Sequence, residues 1–244
     1  MISFFNVTVL STLVAASIWY FIYRFLSSLT KQSPEWNSRL VALIHGLVVS
    51  FLAVVCIYQG PNPLYIQGED NTTLHKITLI TSLGYFIYDF FWCIQAQSEP
   101  WIMIVHHIAS LFSISLILFR GFSGAEAIAG IGSMEITNPL LQCRWFLRSM
   151  GYNNTRIHTS VEILFILSFV IMRLGYGSYL MYAIVFSNYC KLDVKICASL
   201  LYIISWAFVY YICMFILKKY FKSGIECSPD VTTEPNESLE QKRE

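Results

Sequence analysis

The 244-residue chain is 56% hydrophobic and only 13% charged, about half the ~25% charge of a soluble globular protein. Its polar residues are too few to cover so large an apolar core in water, so the composition excludes a water-soluble protein. The net charge of +1 provides no basic surface of the kind that binds nucleic acid, so no nucleic-acid partner is expected.

Seven apolar segments approach the ~20 residues that a helix needs to cross the ~30 Å hydrocarbon core of a bilayer. In chain order they cover residues 3–25, 40–58, 77–96, 101–119, 124–143, 160–187 and 196–217. The first is too long for a signal-peptide core and is interpreted as a retained span. We therefore predict an all-α, multi-pass membrane protein with about seven transmembrane helices.

Two of these segments carry residues that are unusual in a lipid-facing helix. The fifth segment contains Gly124, Gly130, Gly132, Glu135, Asn138 and Pro139. Such a helix has to be shielded from lipid, so we predict that its neighbours surround it. The sixth segment is long and contains Gly175 and Gly177, which predicts a kink or a break.

The distribution of Lys and Arg predicts the orientation of the chain. With seven spans, nine basic residues fall on one side of the membrane and four on the other. The positive-inside rule then places the N-terminus outside or in a lumen and the C-terminus in the cytosol. Residues 223–244 are rich in Glu, Ser, Thr and Pro and are predicted to form a disordered cytosolic tail. The expected location is the endoplasmic reticulum, another endomembrane or the plasma membrane.

The seven cysteines are scattered, mostly within apolar segments, and form no CxxC motif. We interpret them as buried apolar residues. Cys190 and Cys197 remain able to pair if both face a lumen. One glycosylation sequon, Asn71-Thr72-Thr73, falls in a predicted lumenal loop close to the membrane.

Ionisable side chains inside spans are costly in lipid and are therefore candidates for function. The predicted spans contain His45, Asp89, His106, His107, Glu135, Glu162 and Arg173. At ~1.5 Å per residue, all of these except Arg173 fall roughly 4–12 Å below the cytosolic face. Five helices therefore bring polar side chains to one layer of the membrane.

The candidates for catalysis are His106, His107, Glu135 and Asp89. In a low-dielectric site, a histidine beside a carboxylate acts as a general base or nucleophile, because the carboxylate fixes its tautomer and stabilises the imidazolium. The adjacent histidines project about 100° apart on a helix, so one would reach a ligand while the other orients it. A structural role is the alternative, since buried polar groups also serve as hydrogen-bonding contacts between helices.

A second set of polar and aromatic residues is expected to line a cavity in the same layer. It comprises His45, Tyr85, Trp92, Asn138 and Gln142. Glu135, Asn138 and Gln142 follow helical spacing and form one polar stripe. Taken alone, His45 and Glu162 are favoured as structural residues.

Metal binding is the weaker alternative for these side chains. Histidine and carboxylate ligands suit zinc or iron, but the HExxH spacing and the three-histidine pattern of membrane iron enzymes are absent from the sequence. We expect no metal and no other cofactor.

Several ordered motifs resemble the TLC domain. They are Glu35-Trp36-Asn37-Ser38-Arg39 followed by His45, Gly84-Tyr85-Phe86-Ile87-Tyr88-Asp89, His106-His107-Ile108-Ala109-Ser110, and Glu135-Ile136-Thr137-Asn138-Pro139 running to Arg144-Trp145-Phe146-Leu147. The TLC superfamily includes the ceramide synthases and the translocating-chain-associating membrane protein. The resemblance implies a first helix and loop over residues 1–34, a TLC domain over residues 35–222, and the tail beyond. It also implies that six helices form a barrel around a lipid-sized cavity.

The resemblance implies lipid chemistry as well. Ceramide synthases transfer an acyl chain from acyl-CoA to a sphingoid amine with a histidine pair, to which His106 and His107 are similar. The His-Asp and second Asp of the next helix are replaced here by Met134-Glu135 and Asn138. The incomplete motif favours a protein that binds acyl lipid and contributes to membrane lipid homeostasis. The alternative is an acyl-CoA-dependent lipid acyltransferase that uses His106 or His107. The expected partners are membrane lipid or acyl-CoA.

Overall fold

The computed structural model describes residues 2–97, 100–153 and 155–222, with side chains described over 6–97, 100–153 and 155–220. This part of the chain is helical throughout, apart from loops and an isolated bridge between Asp70 and Phe122. The α-helices are α1 (Ile2–Thr30), α2 (Pro34–Gln59), α3 (Thr73–Ala96), α4 (Trp101–Arg120), α5 (Gly124–Glu135), α6 (Asn138–Ser149), α7 (Arg156–Val170), α8 (Gly177–Phe186) and α9 (Leu192–Ile216). The predicted all-α fold is confirmed.

Six helical segments of the described chain are long and apolar enough to cross a membrane. They are Asn6–Thr30, Pro34–Gln59, Thr73–Ala96, Trp101–Arg120, Arg156–Phe186 and Leu192–Tyr220. A multi-pass membrane protein is therefore confirmed. The segment predicted as a further span, residues 124–143, is instead built from two helices of 12 residues each, α5 and α6. They meet at Ile136-Thr137. Pro139 follows in the first turn of α6, where its lack of an N–H is tolerated but where it cannot continue the hydrogen-bond ladder of α5.

Several helices begin earlier than their apolar runs because polar residues cap them. The Ser33 side chain accepts a hydrogen bond from the Trp36 amide at the start of α2. Thr72 and His75 form a reciprocal capping box at the start of α3. These caps satisfy backbone donors that a helix end leaves unpaired, so the first polar turn belongs to the helix.

The short helix α5 lies at the centre of the bundle, in contact with α2, α3, α4 and α8. Its small residues make this possible, because a Cβ at Gly132 would collide with the side chain of Ala53 on α2. Eight of its 12 residues are buried. The expected shielding by neighbouring helices is confirmed for α5, the first half of this segment.

The α1 and α3 helices also approach each other closely. A Cβ added at Gly84 of α3 would lie 2.6 Å from the Ala15 Cβ of α1. The indole of Trp19 donates a hydrogen bond to the Thr81 carbonyl oxygen at 3.1 Å. Small residues at a helix crossing are typical of packing within membranes.

The sixth predicted span continues through its glycines. One π-helical turn, Ile171–Tyr176, joins α7 to α8, so the expected irregularity takes the form of a wider turn rather than a break. Such turns occur frequently at functional sites. This turn contains Arg173.

The chain divides into two compact units, Met1–Ala207 and Phe208–Glu244, with the boundary inside α9. All the contacts described below lie within the first unit. The described part of the second unit comprises the end of α9 and a π-helical segment, Leu217–Lys222. The predicted tail, residues 223–244, lies outside the described residues.

The sequon asparagine and two of the cysteines are buried within the fold. Asn71 is buried, and its side-chain nitrogen donates to the Ile117 carbonyl oxygen at 2.9 Å. The atom to which a glycan would be attached is therefore occupied within the fold. Cys190 and Cys197 are both buried, free thiols.

Candidate functional site

A cavity of about 130 Å³ lies between α4, α5, the π-helical turn, α8 and α9. We call it the slot. On α4 its wall extends from His106 to Ile117, and on α5 from Glu126 to Glu135. These separations of eleven and nine residues correspond to about 17 and 14 Å of helix. The slot is therefore elongated along the helix axes. At ~10–15 Å³ for each water molecule, its volume corresponds to about ten water molecules.

Three ionisable side chains meet at one end of the slot: His106 from α4, Glu135 from α5 and Arg173 from the π-helical turn. Among the described residues that line the slot, Arg173 is the one cation. Its guanidinium lies 4.9 Å from the ring centroid of Phe169, and its Nε has no hydrogen-bond partner among the described residues. This polar end can therefore offer guanidinium N–H donors and an imidazole to a ligand.

His107 points away from the slot and toward α3. Its Nδ1 lies 2.7 Å from the Met103 carbonyl oxygen, and its Nε2 lies 2.8 Å from Asp89 Oδ2. A carbonyl oxygen only accepts, so Nδ1 carries a hydrogen. Nε2 and the Asp89 carboxyl group then share one proton, because two bare acceptors would repel at 2.8 Å. His107 and Asp89 thus form a hydrogen-bonded pair between α4 and α3.

Glu135 is held by α2. Its Oε2 lies 3.4 Å from Nδ1 of His45 and accepts a hydrogen bond from Asn138 at 3.1 Å. The His45 ring is fully buried and stacks on Tyr85, with centroids 3.6 Å apart. His45 therefore holds Glu135 at the polar end of the slot from behind.

The residues predicted to line a cavity lie outside the slot wall in the described structure. Gln142 donates to the Asn138 side chain at 2.9 Å, which extends the hydrogen-bonded chain that begins at Glu135. Tyr85 and His45 form the stacked pair behind it. Trp92 is half-buried on α3. Apart from Trp92, the predicted set thus lies behind the polar end of the slot and outside its wall.

Glu162 is also held by a partner from another helix. Its Oε2 lies 2.8 Å from Nε of Arg144, and the Glu162 side chain is 1% exposed. This ion pair joins α6 to α7 outside the slot. The structural role favoured for Glu162 is consistent with this position.

Asp89, Cys93 and His107 bring three potential metal-ligand atoms within 4.8 Å of one another. Two ligands at the ~2.0–2.1 Å distances of tetrahedral zinc lie about 3.3 Å apart. The Asp89 and His107 atoms are 2.8 Å apart, which is a hydrogen-bond distance. The group therefore fits a hydrogen-bonded pair, which would have to open to hold a metal.

Glu126 lines the opposite end of the slot and was not among the predicted site residues. Its side chain accepts a hydrogen bond from the Gly68 amide at 2.6 Å and another from the Cys190 thiol at 3.4 Å. Burial and the neighbouring Glu126 carboxylate raise the pKa of Cys190 to about 12, so the thiol stays protonated and donates. The available signal in the sequence was a second acid in the weakest span, nine residues before Glu135.

The helical fold and the motifs along the chain agree with a match to a protein family. A family model described as the TLC domain matches residues 35–222. The chain belongs to the TLC domain family. The motifs around Asp89, His106 and Glu135 lie within the matched residues and occupy neighbouring helices of one bundle.

The chain is similar to several TLC domain-containing proteins at moderate identity. It is 27% identical over 129 residues to TLC domain-containing protein 4-B of Danio rerio, covering 50% of this chain and 46% of that protein. It is 26% identical over 169 residues to TLC domain-containing protein 4 of Homo sapiens, covering 60% of each. With TLC domain-containing protein 1 of Homo sapiens the identity is 23% over 150 residues, again covering 60% of each. The chain thus spans about half the length of the first curated relatives that it matches.

Proposed function

We propose that the chain binds an acyl lipid in the slot and thereby contributes to membrane lipid homeostasis. The observation that carries this proposal is the shape and polarity of the slot. An elongated cavity with mainly apolar walls and convergent polar groups at one end suits an amphiphile with a single chain. Small-molecule sites are generally concave and apolar, with a few placed polar groups.

Arg173 would anchor the polar group of the ligand. A guanidinium donates paired hydrogen bonds to a carboxylate, a phosphate or an ester carbonyl. Glu135, held by His45 and Asn138, balances the charge of Arg173 when no anion is bound. His106 would stand beside the carbonyl carbon of the bound acyl group.

The remainder of the slot would hold the alkyl chain. Ile114, Ile117, Leu180 and Ile184 line its wall and are buried. Transfer of an alkyl chain from the bilayer into this wall gains no hydrophobic energy, because lipid is equally apolar. Selectivity would therefore come from the polar end and from the length of the slot.

Photocrosslinking of the purified protein with a diazirine-labelled fatty acid tests this proposal. We expect adducts on slot residues of α5, α8 and α9, and competition by unlabelled laurate. Arg173→Met should weaken binding by about tenfold to a hundredfold, the value of a hydrogen bond to a charged group. Arg156→Met, an exposed arginine outside the slot, is the matched control. Adducts confined to lipid-facing residues, with no competition, would contradict the proposal.

Acyl transfer is a second candidate function, favoured by the position of His106 in the slot wall. The imidazole nitrogen of His106 would attack the thioester carbonyl of acyl-CoA, forming an acyl-imidazolium as the carbon–sulfur bond breaks and the CoA thiolate leaves. An amine or hydroxyl would then attack the acyl-imidazolium and release the imidazole. The proton of that amine or hydroxyl would pass through the imidazole to the CoA thiolate, which leaves His106 neutral again.

Intact-mass measurement after incubation with acyl-CoA separates the two candidates. Acyl transfer predicts a covalent adduct of one acyl chain that disappears in His106→Ala and persists in His158→Ala, a control histidine at the start of α7. Lipid binding alone predicts unmodified protein that releases intact lipid on denaturation.

A further inference from the structure

The far end of the slot contains a buried acid with an unused acceptor atom. Glu126 is 2% exposed and lies in the first turn of α5. Its Oε1 accepts both hydrogen bonds, from the Gly68 amide and from the Cys190 thiol. Its Oε2 has no hydrogen-bond partner among the described residues. Buried polar atoms are nearly always hydrogen-bonded, so we expect Oε2 of Glu126 to accept a hydrogen bond.

A purely structural role accounts for only half of this side chain. Oε1 ties α5 to the loop that contains Gly68 and to the segment that contains Cys190. The pKa of Cys190, raised to about 12 mainly by burial, keeps that thiol in the role of donor. Any residue with one acceptor oxygen would make the same contacts, and Oε2 would then be superfluous.

A second unused polar atom lies in the same cavity. Ser113 of α4 lines the slot, and its buried Oγ also has no hydrogen-bond partner among the described residues. Ser113 is seven residues beyond His106, or about 10 Å farther from the polar end along α4. An alkyl chain ending in a methyl group would leave both side chains unsatisfied.

We propose that Glu126 forms a second polar subsite, which accepts a hydrogen bond from a hydroxyl or amine at the far end of the bound chain. This inference rests on the proposed lipid-binding function and names the class of ligand. The slot would prefer an amphiphile with polar groups at both ends of a chain over one that ends in a methyl group. The subsite lies about 14 Å from the polar end along α5, measured from Glu126 to Glu135.

The chemistry of the carboxyl group determines the order of preference. An ionised Glu126 has only acceptors, so it favours a ligand that brings a hydrogen, and an ammonium more than a hydroxyl. A terminal carboxylate would be repelled. The two ends of the slot therefore bind different groups. Arg173 binds a hydrogen-bond acceptor of the ligand, and Glu126 binds a hydrogen-bond donor.

Competition against the diazirine-labelled fatty acid tests the subsite in the full chain. The competitors are laurate, ω-hydroxylaurate and ω-aminolaurate, which share one chain length. We expect the wild-type protein to bind the two ω-substituted acids at least about tenfold more tightly than laurate. Glu126→Gln keeps the size of the side chain and one oxygen for Gly68 and Cys190. This variant should lose the preference and bind all three acids about equally.

Asp193→Asn is the matched control, because Asp193 is an acid that pairs with Arg120 outside the slot. It should keep the wild-type preference. Equal binding of all three competitors by the wild-type protein would overturn the subsite and leave the lipid-binding proposal standing. Failure of every competitor would overturn both. The wild-type comparison decides the question even if Glu126→Gln does not fold.

Discussion

At the scale of single residues, the two adjacent histidines have different environments. His107 uses both ring nitrogens, one on the Met103 carbonyl and one on Asp89, so its ring is fixed in orientation. His106 lines the slot beside Arg173 and Glu135. The ring planes are 85° apart. We infer that His106 meets the ligand and that His107 is a positioning residue.

A double-mutant cycle between Asp89 and His107 measures this pairing. We expect Asp89→Asn and His107→Gln to show a coupling energy of about 1–2 kcal/mol, near the upper range for hydrogen bonds between membrane helices. The measurement is the free energy of unfolding in detergent. The same cycle with His106→Gln is the control and should be additive within ~0.5 kcal/mol. Additivity in both cycles would contradict the pairing.

The sequence predicts the depth of the polar residues better than their partners. Helical rise places His45, Asp89 and Glu135 in one layer, and the structure brings each of them against a side chain of that layer. Depth does not determine which way a helix is rotated, so the pairing of Glu135 with His45 could not be predicted. Glu126 could not be predicted as a site residue either, because its role depends on the loops that contain Gly68 and Cys190.

At the scale of helices, small residues determine which elements approach closely. The Gly84 backbone of α3 lies against Ala15 and Ala16 of α1, with no room for a side chain. The Gly130 position of α5 instead faces the slot, where an added Cβ meets nothing within 4 Å. Gly84 therefore allows two helices to pack closely, whereas Gly130 leaves space in the slot.

Substitution of Gly84 by alanine should weaken the packing of α1 on α3. The added methyl group overlaps the α1 backbone, and overpacking of this kind costs about 1–3 kcal/mol. Gly130→Ala is the matched control and should be neutral or stabilising by up to ~1 kcal/mol, since alanine is the better helix former. Thermal unfolding of both variants in detergent measures the difference. Equal stabilities would show that the close approach of α1 and α3 contributes nothing.

The sequence predicts the existence of the helices well and their ends less well. Apolar runs indicate which residues face lipid or the protein core. The helices begin before these runs, because Ser33, Thr72 and Thr155 each cap a polar first turn. The fifth predicted span divides because Pro139 interrupts it. Hydropathy is averaged over a segment and does not reveal such a break. The break arises because proline has no backbone N–H to donate.

At the scale of the whole molecule, the orientation of the chain determines which side of the membrane the polar end faces. The excess of Lys and Arg predicts a cytosolic C-terminus. On that topology His106 lies nearer the cytosolic face, where acyl-CoA would be available. Glu126 lies nearer the opposite face.

A reporter at the C-terminus tests this orientation. In sealed microsomes or intact cells with a selectively permeabilised plasma membrane, we expect a protease added from the cytosolic side to remove the reporter. A reporter inserted after Asp70, in the loop before α3, should be protected. The reverse pattern would move the polar end to the lumenal side and exclude cytosolic acyl-CoA as a substrate.

The amount of lipid that co-purifies with slot-filled variants tests the central claim, that the slot binds an acyl lipid. Gly130→Leu extends a side chain into the slot from a position where an added Cβ meets nothing within 4 Å. Gly175→Leu, likewise open at the Cβ but outside the slot wall, is the matched control. Native mass spectrometry should show about one bound lipid for the wild-type protein and for Gly175→Leu, and none for Gly130→Leu. Equal lipid occupancy in all three proteins would contradict the account.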